Sequence, residues 1–138
     1  IWKKVIVNCT VNTVCAVTRL KIGYVENNPY GKKLFHNVIR ECCAVAEHKG
    51  VHLDPDEFIA VDHQHIIDNI SDYYPSMAQD MLYKKLRTEV DTLTGTISDY
   101  GKQFNVPTPT CDVLSDIVRC IQDNYDNQYG EKNGAVNA

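Results

Sequence analysis

The chain has 138 residues, is 43% hydrophobic and 23% charged, and carries a formal net charge of -4, which is enough apolar material for one domain with its own core. Such mild acidity argues against nucleic acid as the main partner, because holding phosphates takes clustered Lys and Arg, and no apolar run is long enough to span a bilayer. The chain opens on Ile1 inside an already patterned segment, without a basic start, apolar middle and small-residue cleavage site. It reads as a fragment of a longer cytoplasmic protein.

In chain order, a first helix is predicted from about Trp2 to Leu20, with Val5, Ile6, Cys9, Val11, Val14, Cys15 and Val17 leaving little room for a solvated face. Gly23 and Asn27-Asn28-Pro29 break the pattern. Leu34, Val38, Ile39, Cys42, Val45 and Ala46 then recur at helical spacing, with Gly50 as a stop. Asp54-Pro55 predicts an N-cap followed by Pro at the first helical position, opening a helix with Phe58, Ile59, Val61, Ile66, Ile67 and Ile70. A short helix follows Tyr74-Pro75-Ser76. Another carries Val90, Leu93, Ile97, Tyr100 and Phe104, and Pro107 and Pro109 end it. The last carries Val113, Leu114, Ile117, Val118 and Ile121. No alternating run supports a sheet, so the fold class is all-α. From Asn124 the composition turns polar, predicting a helical domain over 1–123 and a frayed tail over 124–138.

The six cysteines include no CxxC pair, and those among Val and Ala read as small buried hydrophobes with reduced thiols. His63-Gln64-His65, with Asp62 and Asp68, hints at metal. Histidines two apart on a helix point in different directions, so a solvated face is expected and no metal site is assigned.

Lys4, Asn8 and Asn12 interrupt the first helix at intervals of four, which stacks them in one slowly drifting row. An ammonium and two amides on a buried helix need partners. A ligand with carbonyl, hydroxyl and carboxylate oxygens would satisfy all three, and neighbouring backbone is the plainer alternative. Ser76 after Pro75 suits a helix N-terminal cap, and Glu89 suits first-turn charge.

Lys4, Asn8 and Asn12, then Pro75-Ser76-Met77 with Gln79-Asp80, then Thr88-Glu89-Val90-Asp91 with Gly95, then Pro109 together resemble the C-terminal domain of the ketopantoate reductase (2-dehydropantoate 2-reductase) family. Glu41 with Ala44, Ala46 and Gly50 fits the same family's third motif. The resemblance, from about Trp2 to Val118, implies a multi-helix domain like the C-terminal domain of 6-phosphogluconate dehydrogenase. It implies NADPH-dependent reduction of ketopantoate to pantoate, on the route to pantothenate and coenzyme A. Lys4 and Glu89 would be catalytic, and Asn8, Asn12 and Ser76 would bind substrate. Hydride reaching a ketone carbon builds negative charge on oxygen, and Lys4 could stabilise that charge and supply the proton. Glu89 would partner that ammonium or hold a substrate hydroxyl.

Two departures stand out: Thr13 where the family usually has Pro, and Thr94 where Asn usually precedes Gly95. No GxGxxG strand-to-helix turn is present to cradle a pyrophosphate. NADPH would therefore be bound mainly by an N-terminal Rossmann domain absent from this chain. Expected partners are that domain, the 2-keto acid and, in a homodimer, a second copy. The alternative is a helical dimerisation or interaction module, from a relative that acts on another 2-keto acid or has lost the chemistry.

Overall fold

The computed structural model describes residues 1–130, and within them every regular element is helical. The first helix, α1, spans Trp2–Thr18. It is the core element, packing against α3 (Pro29–His48), α6 (Ser76–Gln79) and α8 (Pro109–Gln122). Its apolar stripe is wide: Ile6, Cys9, Val11, Val14, Cys15 and Ala16 are all buried. Two buried threonines are accommodated because their hydroxyls fold back on the helix, Thr10 donating to the Ile6 carbonyl at 2.7 Å and Thr13 to the Cys9 carbonyl at 2.8 Å. Thr13 retains the backbone N–H that a proline would lack, and α1 runs on as one continuous helix.

The segment around Gly23, expected only to break the pattern, contains a short helix, α2 (Ile22–Glu26). Its first amides are claimed from a distance: Ile22 N–H donates to the Tyr73 carbonyl at 3.2 Å and Gly23 N–H to the Ser71 carbonyl at 2.8 Å. Asn28 then caps α3, its Oδ1 accepting from the amides of Tyr30 and Gly31, with Pro29 in the first turn. Gly31 is where α2 and α3 approach most closely, since a Cβ there would collide with the Val25 carbonyl oxygen and lie 2.8 Å from Val25 Cγ1.

Asp54 and Pro55 open α4 (Pro55–Phe58) as expected, with Asp54 Oδ1 accepting from the Asp56 amide at 3.0 Å. The helix widens into a π turn at Ile59–His63 before resuming as α5 (Gln64–Ile70). A second π turn, Asp80–Lys84, follows α6. The single helix predicted over Val90 to Phe104 is two pieces. A 3-10 turn at Val90–Thr92 is separated from α7 (Thr94–Phe104) by Leu93, whose φ of -112° and ψ of -108° interrupt the ladder. Periodicity misses this break because Val90, Leu93 and Ile97 all face the same core. Thr94, in place of the usual Asn, is buried and accepts from Ser115 Oγ at 2.8 Å.

The N-terminus of α8 is capped from α3. Glu41 presents both carboxylate oxygens to the free amides of Thr110 and Cys111, at 3.0 and 2.9 Å. All six cysteines are free thiols, five of them buried. Past α8, Tyr125 packs on the core and donates its hydroxyl to the Leu86 carbonyl at 2.6 Å. Most of the tail expected from Asn124, residues 131–138, lies outside the described residues. Among the described residues no helix is long and apolar enough to cross a membrane.

Candidate active site

The α1 row runs from an exposed end to a buried one: Lys4 is exposed, Asn8 half-buried and Asn12 only 5% exposed. Lys4 and Asn12 lie about 12 Å apart along the axis, with Asn8 midway. Asn12 already serves as a cap for α6, which lacks a side-chain cap of its own. Its Oδ1 accepts from the Met77 amide at 3.0 Å and from Ser76 Oγ at 3.2 Å. Ser76 is thus the first residue of α6 and a donor to Asn12, while Pro75 occupies the N-cap position.

Asn12, Ser76 and Glu89 meet around one small notch, together with Met77, Asp80 and Leu93. Its volume is about 10 Å³, room for roughly a water molecule. The loop bearing Glu89 is fixed from α8. Gln122, 6% exposed, accepts through Oε1 from both the amide and the hydroxyl of Thr88, at 2.9 and 2.8 Å. Asp91 is held too, by Arg119 Nε at 2.9 Å. Gln122 escapes sequence reading, and so does the capping role of Glu41, which the sequence shows only as part of a family motif, because the groups they satisfy lie 34 and about 70 residues away.

Lys4 faces a different and larger space. A groove of about 670 Å³ is lined by Lys3, Lys4 and Val7 of α1 and by Ala60, Asp62 and His65 on the opposite wall. Lys3 crosses it to Asp62, with Nζ to Oδ2 at 3.6 Å. No hydrogen bond or ion pair among the described residues engages the Lys4 ammonium or the Glu89 carboxylate. The structure therefore brings together Asn12, Ser76 and Glu89. It does not pair Lys4 with Glu89, and it leaves Asn8 on the row between the two cavities. Each cavity is bordered by a π turn, a device that re-aims side chains and recurs at functional sites.

The expectation that the His63 region is a solvated face fails at His63 itself, which is 3% exposed. The π turn rotates it inward, where Nε2 meets Glu26 Oε1 at 2.9 Å and the ring packs edge-on against Phe35. His65, two residues on, is exposed, in keeping with the divergent directions expected of the pair. His36 of α3 is the next ring, 6.1 Å from His63 between centroids. Burial holds the His36 imidazole below its ordinary range, with the Glu26 carboxylate opposing.

An all-helical domain with a lysine–asparagine row on its central helix and a serine–glutamate notch beside it defines the class. Residues 1–122 match the family described as ketopantoate reductase PanE/ApbA, C terminal, and the chain belongs to that family. A 2-dehydropantoate 2-reductase of Streptococcus pyogenes is 31% identical over 121 residues, covering 86% of this chain and 38% of the relative. A D-mandelate dehydrogenase, solved in ternary complex with NADH and anilino(oxo)acetate, superposes with a TM-score of 0.83 at 31% identity, over 88% of this chain and 50% of that one. A PanE/ApbA-family ketopantoate reductase from Ralstonia eutropha gives a TM-score of 0.80 at 33% identity, over 88% and 40%. The chain thus spans about 38% of the length of the curated relatives it matches.

Proposed function

We propose that this chain is the substrate-binding and catalytic half of an NADPH-dependent 2-dehydropantoate 2-reductase, reducing ketopantoate to pantoate for pantothenate and coenzyme A synthesis. The observation that carries the reading is the Lys4–Asn8–Asn12 row, whose buried end meets Ser76 and Glu89 at one notch. The family match and the 31%-identical S. pyogenes reductase support it.

The residues present do not fit the cofactor's pyrophosphate. Among the described residues there is no strand, and the sequence has no glycine-rich strand-to-helix turn to bring backbone amides against it. A separate Rossmann domain is the proposed holder, and the bound nicotinamide would supply the hydride. This chain's own residues do the rest. The Lys4 ammonium stabilises charge developing on the ketone oxygen and donates the proton there. Asn8 and Asn12 offer donors and acceptors to substrate hydroxyl and carbonyl groups without adding charge. Ser76 donates to the substrate carboxylate, and Glu89 accepts from a substrate hydroxyl. The notch is too small for a keto acid, so substrate entry opens it, with Ser76 Oγ exchanging Asn12 for the ligand.

A second reading, reduction of a different 2-keto acid with NADH, is favoured by the likeness to a D-mandelate dehydrogenase solved with NADH. The full-length protein assayed with ketopantoate and phenylglyoxylate, each with NADPH and NADH, separates them. The highest kcat/KM is expected for ketopantoate with NADPH. Turnover confined to phenylglyoxylate or to NADH would replace this reading with the second.

A further inference from the structure

We propose that Glu26, His36 and His63 form a binding site for a divalent transition-metal ion of the zinc type. The three come from α2, α3 and the π turn, and their ligand atoms all lie within 4.8 Å of one another. Two imidazoles and one carboxylate are a set such ions accept, leaving a fourth position for water. In a tetrahedral site with bonds near 2.0–2.1 Å, neighbouring ligand atoms lie about 3.3 Å apart. His63 Nε2 and Glu26 Oε1, at 2.9 Å, are already within that spacing. His36, whose ligand atom is within 4.8 Å of the other two, has to move in by no more than about 1.5 Å. Its ring is half-buried, and no hydrogen bond among the described residues holds it.

The site is built into the fold. His63 is 3% exposed and the Glu26 side chain 12%, and the Phe35 ring packs edge-on against the His63 imidazole at 5.3 Å between centroids. His63 is the last residue of the π turn and the buried one of its five. The competing cation is weakly placed, since Lys32 Nζ stands 3.8 Å from Glu26 Oε2 on a side chain 52% exposed. An entering ion takes the place of the hydrogen bond between His63 and Glu26, with the imidazole presenting an unprotonated Nε2, and Lys32 swings away. The bound ion would tie α2 and α3 to the π turn. The outer side of that turn, at Ala60, Val61 and Asp62, is the wall of the groove facing Lys4.

The test is calorimetric titration of the purified, metal-stripped chain with Zn²⁺, beside Co²⁺ absorption spectra, for wild type, His36→Ala and Glu26→Gln. Glu26→Gln keeps the shape and a hydrogen bond to His63, and His36→Ala removes a ring without a hydrogen bond, so circular dichroism should match wild type for at least one of them. The expected result is one equivalent of Zn²⁺, tetrahedral Co²⁺ d–d bands without thiolate charge transfer, and affinity at least about tenfold weaker in each folded variant. Absence of stoichiometric binding by wild type would overturn the proposal. So would a thiolate band, or an affinity unchanged in a folded variant.

Discussion

At the scale of single residues, Lys4 and Asn12 make opposite predictions although they share one helix face. The Lys4 ammonium has no hydrogen-bond or ion-pair partner among the described residues. Lys4→Ala in the full-length protein should therefore leave the fold intact and lower kcat of the proposed reduction by about 10²–10³, the usual cost of losing one oxyanion-stabilising group. A kcat within a few-fold of wild type would remove Lys4 from the mechanism. Asn12 caps α6 through Met77 and Ser76. Asn12→Ala should thus raise KM and also cost about 1 kcal/mol of stability, read from denaturant midpoints, because a capping acceptor is lost. The thiols divide as sharply. Burial pushes Cys15 up to about 12 and Cys43 up to about 11, whereas Cys120 is exposed. Ellman's reagent near pH 8 should find one rapidly reacting thiol in the native chain and all six after denaturation. More than one fast thiol in the native state would contradict this burial.

At the scale of elements, helix positions follow from apolar periodicity, and their joints do not. α1, α3 and α8 are legible because each buries one broad stripe, and α3 and α8 also open at proline. α2 is illegible because five residues carry too little period, and its amides are satisfied by Ser71 and Tyr73. The two π turns leave no local signature, and one of them decides that His63 is inside. The site is legible to the same degree. Lys4, Asn8 and Asn12 show their row through the regular spacing of α1. Gln122 acts on backbone far away in the sequence and shows nothing, and Glu41 shows through the family motif but not in its capping role. Glu41→Ala tests that distant capping directly. Losing both acceptors at the start of α8 should cost about 1–2 kcal/mol in urea unfolding, with far-UV circular dichroism otherwise native. An unchanged midpoint would mean that α8 is capped from elsewhere.

At the scale of the whole molecule, the chain is one core built around α1 with its proposed chemistry at the edge. The Lys4 groove is open and partly apolar, bordered by Val61, which is 60% exposed. A covering cofactor domain would complete that surface, and without it the groove offers a face for self-association. Hydride transfer requires the nicotinamide and the keto carbon at near-contact distance, positioning worth roughly 7–11 kcal/mol in well-oriented systems. Among the described residues there is no strand, hence no strand-to-helix turn of the dinucleotide-binding kind. The most direct measurement is NADPH oxidation with ketopantoate, run on the purified chain alone and on the same chain joined to the proposed Rossmann domain, with calorimetric titration of NADPH into each. The account predicts neither turnover nor stoichiometric NADPH binding by the chain alone, and both in the joined protein. Robust turnover or tight NADPH binding by the chain alone, or inactivity of the folded, NADPH-bound joined protein, would contradict it.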